Sequence, residues 1–458
     1  MDRSKKVVVL GGGSFGTVLA NLAASNGYQV TLWVRDSEHA LRINSEGANT
    51  TYHPELKLSE NIQASDSLED VMENASIVFI ATPSIVFEQI IKRIRHTLKD
   101  DTYVISCTKG ILGNPFRSLS EVIISNINNT VGVLSGPNLA KEIADNKVAG
   151  SVIASSDNDL IDSVKTILSS DTFKIYSSDD LQGVELAGAL KNIYAIICGL
   201  AEAIDVGENA IGLILTRSMA EMSRFAVAKG ANPITFLGLA GMGDLVATCT
   251  SKLSRNYQLG YNLGKGMSID EAKKDIGQVA EGTRTLEVIK NESFELNIKM
   301  PLVESLYNII YEKLKPSTLI SDLVNNPHEV DVEFKYWVMN TIKKEEILKP
   351  NKWIRLIFMV LYAFAFNFAV SICIGLSLVQ FLFFLFTGKA NPSIANFNSY
   401  MIEFYNDTLA FLLFETEEKP FPFKDENIEN DIIDAEVDEV EDIALNDNSK
   451  DFQEDSKY

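Results

Sequence analysis

One lysine interrupts the apolar run 181–204, where Ala, Leu, Ile and Gly predominate, and Asn192 follows it directly. An ammonium group seldom enters such a setting without a partner. Partial burial would lower the pKa of Lys191 toward neutrality, which is what a general acid or base requires. A lysine that snorkels from an apolar helix, keeping its charge in water, is the competing reading of the same residues. A second concentration of chemistry lies at 238–245, where small residues surround Asp244; Thr248 follows, and then Ser254, Arg255 and Asn256. Small residues around one acid suggest close backbone approach to a bound group, and an arginine at a helix start can fork onto a phosphate. An ordinary loop and N-cap would account for these residues equally.

A third cluster, Gly11-Gly12-Gly13-Ser14-Phe15-Gly16, follows the β-branched run Lys6–Leu10 and precedes an Ala- and Leu-rich stretch to Ala24. Strand, tight turn and helix in that order make a dinucleotide-binding pattern. Gly11 serves the bend, Gly13 lets the backbone approach a pyrophosphate, and Gly16 allows close helix–strand packing. The end of the second strand selects the cofactor, because an acid there binds the ribose 2′-hydroxyl and an arginine accommodates a 2′-phosphate. The order is Val34-Arg35-Asp36, so Arg35 favours NADP while Asp36 leaves NAD open. His39, His53, His96 and His328 lie outside these clusters, which gives a histidine-based mechanism little support. Cys107, Cys198, Cys249 and Cys373 show neither zinc-ligand nor disulfide spacing, so no metal site is expected.

The elements that must position these residues fall into distinct textures. Short apolar runs at 29–34, 77–81, 103–106, 131–134 and 151–154 alternate with helical patterns, which predicts an α/β domain with a parallel, doubly wound sheet. From Leu181 the segments become long and helical, at 181–204, 210–229, 254–264, 283–290 and 301–313, and predict a second, all-helical domain. A chain of 458 residues suits about three units. The expected boundaries are 1–180 for the dinucleotide-binding domain, 181–328 for the helical domain, 329–352 for a linker, 353–424 for a membrane-associated domain and 425–458 for an acidic tail. The net charge of -21 argues against a nucleic-acid partner, which requires a basic excess. Much of that charge falls after Glu415, where Asp434, Glu436, Asp438, Glu439, Glu441 and Asp442 crowd together as in a solvated, disordered tail. Residues 1–10 carry too short an apolar run for a secretory segment, so the globular part is expected in the cytoplasm.

The stretch 353–386 contains one charge, Arg355, and exceeds the ~20 residues needed to cross a bilayer. Lys343, Lys344, Lys349, Lys352 and Arg355 precede or open it, and a basic flank of this kind stays in the cytoplasm. Its length is awkward both for one tilted span and for a bent pair, and the side on which the acidic tail lies stays open.

Together these segments resemble the NAD(P)-dependent glycerol-3-phosphate dehydrogenase family of bacteria over residues 5–330. The stretches that carry the resemblance are Gly-Gly-Gly-Ser-Phe-Gly-Thr at 11–17, Thr-Lys-Gly at 108–110, Ser-Gly-Pro-Asn-Leu-Ala-Lys-Glu at 135–142, Ala-Leu-Lys-Asn at 189–192, Gly-Met-Gly-Asp-Leu at 241–245, Ser-Arg-Asn at 254–256 and Val-Ala-Glu-Gly at 279–282. It implies a Rossmann-type domain followed by a helical substrate domain, with NADP or NAD as cofactor and dihydroxyacetone phosphate or sn-glycerol 3-phosphate as substrate. It implies that Ser14, Phe15, Arg35, Ala140, Arg255, Val279 and Glu281 contact the cofactor beside the glycines, and that Lys109 lies between cofactor and substrate. Lys191 would exchange the proton on the substrate's C2 oxygen, with Gly136, Asn138, Asn192, Asp244 and Thr248 around it, while Ser254, Arg255 and Asn256 hold the phosphate. Asn138 departs from the family, which more often has Ser or Thr there; an amide can still donate to the substrate. A homodimer is expected.

The stretch 353–424 is similar to a small uncharacterised bacterial membrane domain, on Leu-Phe-Thr-Gly-Lys at 385–389 and Thr-Glu-Glu-Lys-Pro-Phe-Pro-Phe at 416–423. It implies tethering at the inner membrane, where glycerol 3-phosphate would reach the acyltransferases of phospholipid synthesis. Two other functions compete. A 3-hydroxy acid reductase would need a carboxylate clamp in place of Ser254, Arg255 and Asn256. A catalytically inactive nucleotide sensor would have no use for Lys109, Lys191, Asp244 and Arg255.

Overall fold

The run Lys6–Leu10 forms β1, a strand buried on both faces. Val7 and Val9 enter one hydrophobic core and Val8 and Leu10 another, so the sheet carries packed layers on each side. This is why the run is continuously apolar rather than alternating. The computed structural model describes Arg3 and residues 5–277, 280–324 and 350–422. The chain divides into two compact units, Met1–Phe334 and Lys335–Tyr458.

In the first unit β1 joins β2 (Val30–Trp33), β3 (Ile62–Ser65), β4 (Ala75–Ile80), β5 (Tyr103–Ser106), β8 (Val131–Ser135), β9 (Ala149–Ala154) and β10 (Phe173–Ser178) in one sheet. Its order is β10-β9-β8-β5-β4-β1-β2-β3, and β6 (Ile111–Leu112) and β7 (Arg117–Ser118) form a separate hairpin. The chain runs outward from β1 to β3, then crosses back to β4 on the other side of β1. That reversal opens a crevice beyond the carboxyl ends of β1 and β4, which pair from Val7 with Ile77 to Leu10 with Ile80. Two loops enter it: 11–13, leading into α1 (Ser14–Ser25), and 81–83, leading into α4 (Ser84–Ile94). The other helices of this layer are α2 (Ser37–Glu46), α3 (Leu68–Met72), α5 (Leu119–Ile124), α6 (Ala140–Ala144) and α7 (Asn158–Leu168).

The doubly wound sheet departs from the all-parallel expectation at one edge. Strands β3 to β8 are parallel, but β9 pairs antiparallel with β8, and β10 follows β9. The connection from β8 to β9 contains only the five-residue α6. The chain re-enters the sheet in the opposite sense.

After β10 the chain is helical: α8 (Leu181–Ala203), α9 (Glu208–Ala228), α10 (Asp244–Cys249), α11 (Arg255–Gly264), α12 (Ile269–Ile276), α13 (Gly282–Glu295), α14 (Pro301–Ile310) and α15 (Thr318–Val324). Helix α8 is apolar enough to cross a membrane, yet its apolar window is wholly buried within the unit. Each Leu or Ile it buries contributes roughly 1.5–3 kcal/mol. Helix α11 crosses it closely, because a Cβ at Gly199 would lie 1.9 Å from Tyr257 O and one at Gly260 would lie 1.8 Å from Ile196 O.

In the second unit α16 (Pro350–Thr387) runs unbroken for 38 residues. At 1.5 Å per residue that is about 57 Å, against a hydrocarbon core of about 30 Å. Its stretch Lys352–Thr387 is long and apolar enough to cross a membrane and is almost entirely uncovered. The helix is therefore one unbroken element, and α17 (Pro392–Leu412) turns back along it. Phe366 meets Tyr405 at 5.0 Å between ring centroids, and Tyr362 meets Phe411 at 5.6 Å. At the turn, the Gln380 amide exchanges two hydrogen bonds of 3.2 Å with the Asn391 backbone. At the open end, Arg355 Nη2 donates to Phe411 O and Thr416 O, both at 3.2 Å, so the chain enters and leaves the hairpin at one end. The acidic tail 425–458 and the linker as far as residue 349 lie outside the described residues.

Candidate active site

Helix α8 carries Lys191 on a turn that faces α10, and the ammonium does not snorkel: its side chain is 7% exposed. Lys191 Nζ donates to Asp244 Oδ1 and to Thr248 Oγ1, each at 2.5 Å. Asp244 and Thr248 share one face of α10 because they are four residues apart. A single π-helical turn, Leu239–Gly243, delivers Asp244 to the start of that helix, fully buried. Insertions of this kind recur at functional sites.

Lys109 arrives from the loop after β5. Its Nζ donates to Asp244 Oδ2 and to Gly136 O, each at 2.6 Å, and Gly136 adopts φ +146° to present that carbonyl. Burial lowers the Lys109 pKa from 10.5 to about 7; the Lys191 charge pushes the same way and the Asp244 carboxylate opposes it. An amine that titrates near neutrality thus sits beside a second amine, with one buried carboxylate between them.

On the far side of Lys191, Asn192 Oδ1 accepts from Asn256 Nδ2 at 2.9 Å, and Asn256 Oδ1 accepts from Gly282 N at 3.0 Å. Ser254 caps α11 by accepting from Tyr257 N, which places Arg255 and Asn256 in the first turn. Arg255 is partly buried; burial lowers its pKa, opposed by Tyr52 and Glu281. Asn138 Nδ2 donates one of its two hydrogens to Ser151 Oγ at 3.1 Å, while its buried Oδ1 has no hydrogen-bond partner. The side chain therefore keeps its second N–H and its carbonyl oxygen for another partner.

The glycine turn lies at the sheet's switch point. Gly11 adopts φ +117°, and a Cβ on Gly16 would lie 1.9 Å from Gly11 O, so α1 can close onto β1 only with glycine there. A Cβ on Gly13 would meet nothing within 4 Å, which leaves open space at the start of α1. No side chain caps that helix and no acid occupies its first turn. Uncapped N–H groups facing open space fit the pyrophosphate of a dinucleotide. Phe15 and Ala140 pack on the core beneath this loop. Arg35 is exposed just past β2, and Asp36 accepts from His39 N at 2.7 Å as the cap of α2. Val279 lies outside the described residues.

Three residues that sequence reasoning left aside also meet here. Asn49 Nδ2 donates to Gly12 O at 3.0 Å and to Thr17 Oγ1 at 2.8 Å, and His53 Nε2 lies 3.0 Å from Ser14 Oγ. Ser84, at the start of α4, binds Glu281. No local pattern announces them, since each partner lies tens to hundreds of positions away.

The comparisons with known proteins follow the same division. The family described as NAD-dependent glycerol-3-phosphate dehydrogenase N-terminus matches residues 6–161, and its C-terminus counterpart matches residues 180–321. Residues 349–424 match a domain of unknown function, DUF4389. The chain is 49% identical over 328 residues to the glycerol-3-phosphate dehydrogenase (NAD(P)+) of Alcanivorax borkumensis, covering 71% of this chain and 96% of that one. It is 47% identical over 331 residues to the protein of the same name from Acinetobacter baylyi, covering 72% and 92%. The solved structure of glycerol-3-phosphate dehydrogenase from Coxiella burnetii matches with a TM-score of 0.69 at 33% identity, over 71% of this chain and 100% of that chain. On the switch-point glycines, the paired lysines and these matches, the chain belongs to the NAD-dependent glycerol-3-phosphate dehydrogenase family.

Proposed function

We propose that the chain reduces dihydroxyacetone phosphate to sn-glycerol 3-phosphate with NADPH or NADH, and catalyses the reverse reaction. The observation that carries this reading is the contact of Lys191 with Asp244 and Thr248 inside the helical layer, beside a second amine at Lys109. The bound nicotinamide supplies the hydride in reduction and accepts it in oxidation. Lys191 gives its proton to the C2 oxygen as negative charge develops there, and takes it back in the reverse direction. Asp244 and Thr248 fix the direction of that ammonium. Lys109 adds positive field where the oxyanion forms. Ser254, Arg255 and Asn256 hold the phosphate at the start of α11, Asn192 orients Asn256, and Asn138 donates its amide to the substrate near Gly136. Gly11, Gly13, Ser14 and Gly16 hold the pyrophosphate, with Phe15, Arg35, Ala140, Arg255, Val279 and Glu281 around the rest of the cofactor.

The same reading divides the chain at 180, 328, 352 and 424, as the textures of the sequence suggest. The apolar stretch 353–386 tethers the enzyme to the inner membrane, with the enzyme in the cytoplasm and active as a homodimer. Its product then forms beside the acyltransferases that begin phospholipid synthesis. A steady-state assay of the detergent-solubilised full chain tests the activity. Dihydroxyacetone phosphate should be consumed with NADPH and with NADH, and 3-oxo acids should not. Cofactor binding without turnover on either substrate class would leave a sensor in place of an enzyme.

A further inference from the structure

The switch-point crevice contains a contact that none of these roles uses. Ser84 is 1% exposed and gives both of its donors to one carboxylate: its backbone N–H to Glu281 Oε1 at 3.0 Å and its hydroxyl to Glu281 Oε2 at 2.7 Å. Helix α4 has Pro83 at its N-cap, no side-chain cap of its own and no acid in its first turn. Glu281 supplies both the missing acceptor and the missing negative charge from 197 positions away. The next residue faces the other way. Gly282 seats on α8, where a Cβ would lie 2.7 Å from Asn192 O, and its N–H donates to Asn256 Oδ1 at 3.0 Å. Asn256 in turn donates to Asn192 at 2.9 Å. Residues 281 and 282 therefore hold the sheet loop with a side chain and the α8–α11 crossing with the backbone. Gly110, next to Lys109, lies under the same contact: a Cβ there would be 2.6 Å from Ser84 Cβ and 3.6 Å from Glu281 Oε2.

We propose that Ser84 is a positioning residue, which fixes the Glu281 carboxylate and thereby sets the start of α13, Asn256 and Asn192 as the seat of the substrate phosphate. The inference rests on the dehydrogenase reading above. Without the hydroxyl, one carboxylate oxygen loses its donor and the group can turn toward Arg255, whose charge it already senses. A carboxylate in that position competes with the phosphate for the guanidinium. The effect falls on binding of the phosphorylated compound and on the cofactor contacts of Glu281 and Arg255, which cofactor-free protein separates, and it leaves Lys191, Asp244 and Thr248 in place.

The test uses the full chain with Ser84→Ala and with Ser84→Cys, which is slightly larger and donates weakly. Calorimetry on cofactor-free protein should show glycerol 3-phosphate binding about tenfold weaker in both, the scale of one hydrogen bond to a charged group. The KM for dihydroxyacetone phosphate should rise by the same factor, with kcat within about threefold of the parent. If Ser84→Ala does not fold, Ser84→Cys alone decides. Unchanged binding in the folded variants overturns the proposal, as does a loss confined to kcat. A parent chain inactive on dihydroxyacetone phosphate overturns the dehydrogenase reading instead.

Discussion

Lys109 and Lys191 hold opposite oxygens of one carboxylate, Lys109 on Asp244 Oδ2 at 2.6 Å and Lys191 on Oδ1 at 2.5 Å. Two amines on one buried acid leave the site with a positive excess whenever both are protonated. Leaving a charge buried and uncompensated is costly, so the cluster is arranged for an anion that develops or binds there. An alkoxide forming on a ketone and a phosphate ester beside it both meet that description.

The proton donor can be tested alone. Lys191→Ala removes the ammonium but leaves Asp244 paired with Lys109, so the variant should fold and bind cofactor with an unaltered Kd. Its kcat should fall by about 10²–10⁴, the range of a lost general acid. A variant that turns over at near the parent rate would remove Lys191 from the chemistry.

The second amine has a pH signature. Because burial lowers Lys109 to about 7, its charge is present at pH 6 and lost as pH rises through neutrality. The KM for dihydroxyacetone phosphate should therefore rise between pH 6 and pH 8, and Lys109→Arg, which stays protonated, should flatten that rise. Stability moves in the other direction. Between about 7 and 10.5 the unfolded chain binds more protons at this position than the folded one, so this group makes unfolding harder as pH increases. A urea midpoint for Lys109→Met that tracked the parent across this window would contradict the assignment.

The glycine turn separates folding from binding. Gly16→Ala places a Cβ 1.9 Å from Gly11 O and should cost about 1–3 kcal/mol of stability through overpacking. Gly13→Ala meets nothing within 4 Å, so its melting temperature should match the parent while NADPH affinity falls. Fluorescence titration and thermal melts distinguish them. A melting temperature for Gly13→Ala lowered to that of Gly16→Ala would contradict the open space at the start of α1, and a parent-like value for Gly16→Ala would contradict the close contact there.

The sequence announced the elements whose chemistry is local. Continuous β-branched runs marked β1, β4 and β5; small residues and one lysine marked α8; Ser254 marked the start of α11. It missed β3 because four residues carry little pattern, and it missed β10 although Phe173 and Ile175 alternate inward with Lys174 and Tyr176 outward. It missed α12 despite the capping box of Ser268 and Glu271, since that helix buries only Ala272. The site was legible as residue types but not as pairs. Lys109 and Asp244 are 135 positions apart, and Ser84 and Glu281 are 197 apart, so their meeting depends on how the helical layer closes on the switch point. Asn138 was legible as an amide, but its bond to Ser151 Oγ, 13 positions on, was not.

The hairpin of α16 and α17 makes a prediction about sides. Removing residues 345–458 should release active enzyme into the soluble fraction; persistent pelleting would count against a tether. Within the full chain, Arg355 binds the carbonyls of Phe411 and Thr416 at one end, and Gln380 binds Asn391 near the turn. If α16 spans the bilayer with its basic flank in the cytoplasm, residues beyond Thr416 return to the cytoplasmic side and the turn near Lys389 faces outward. In a Cys373→Ser background, Lys389→Cys should react with an impermeant maleimide on intact spheroplasts. Glu418→Cys should react only after lysis, because its labelling requires access to the side from which the chain entered. Labelling of Glu418→Cys from outside would mean that α17 does not return along α16 in the membrane.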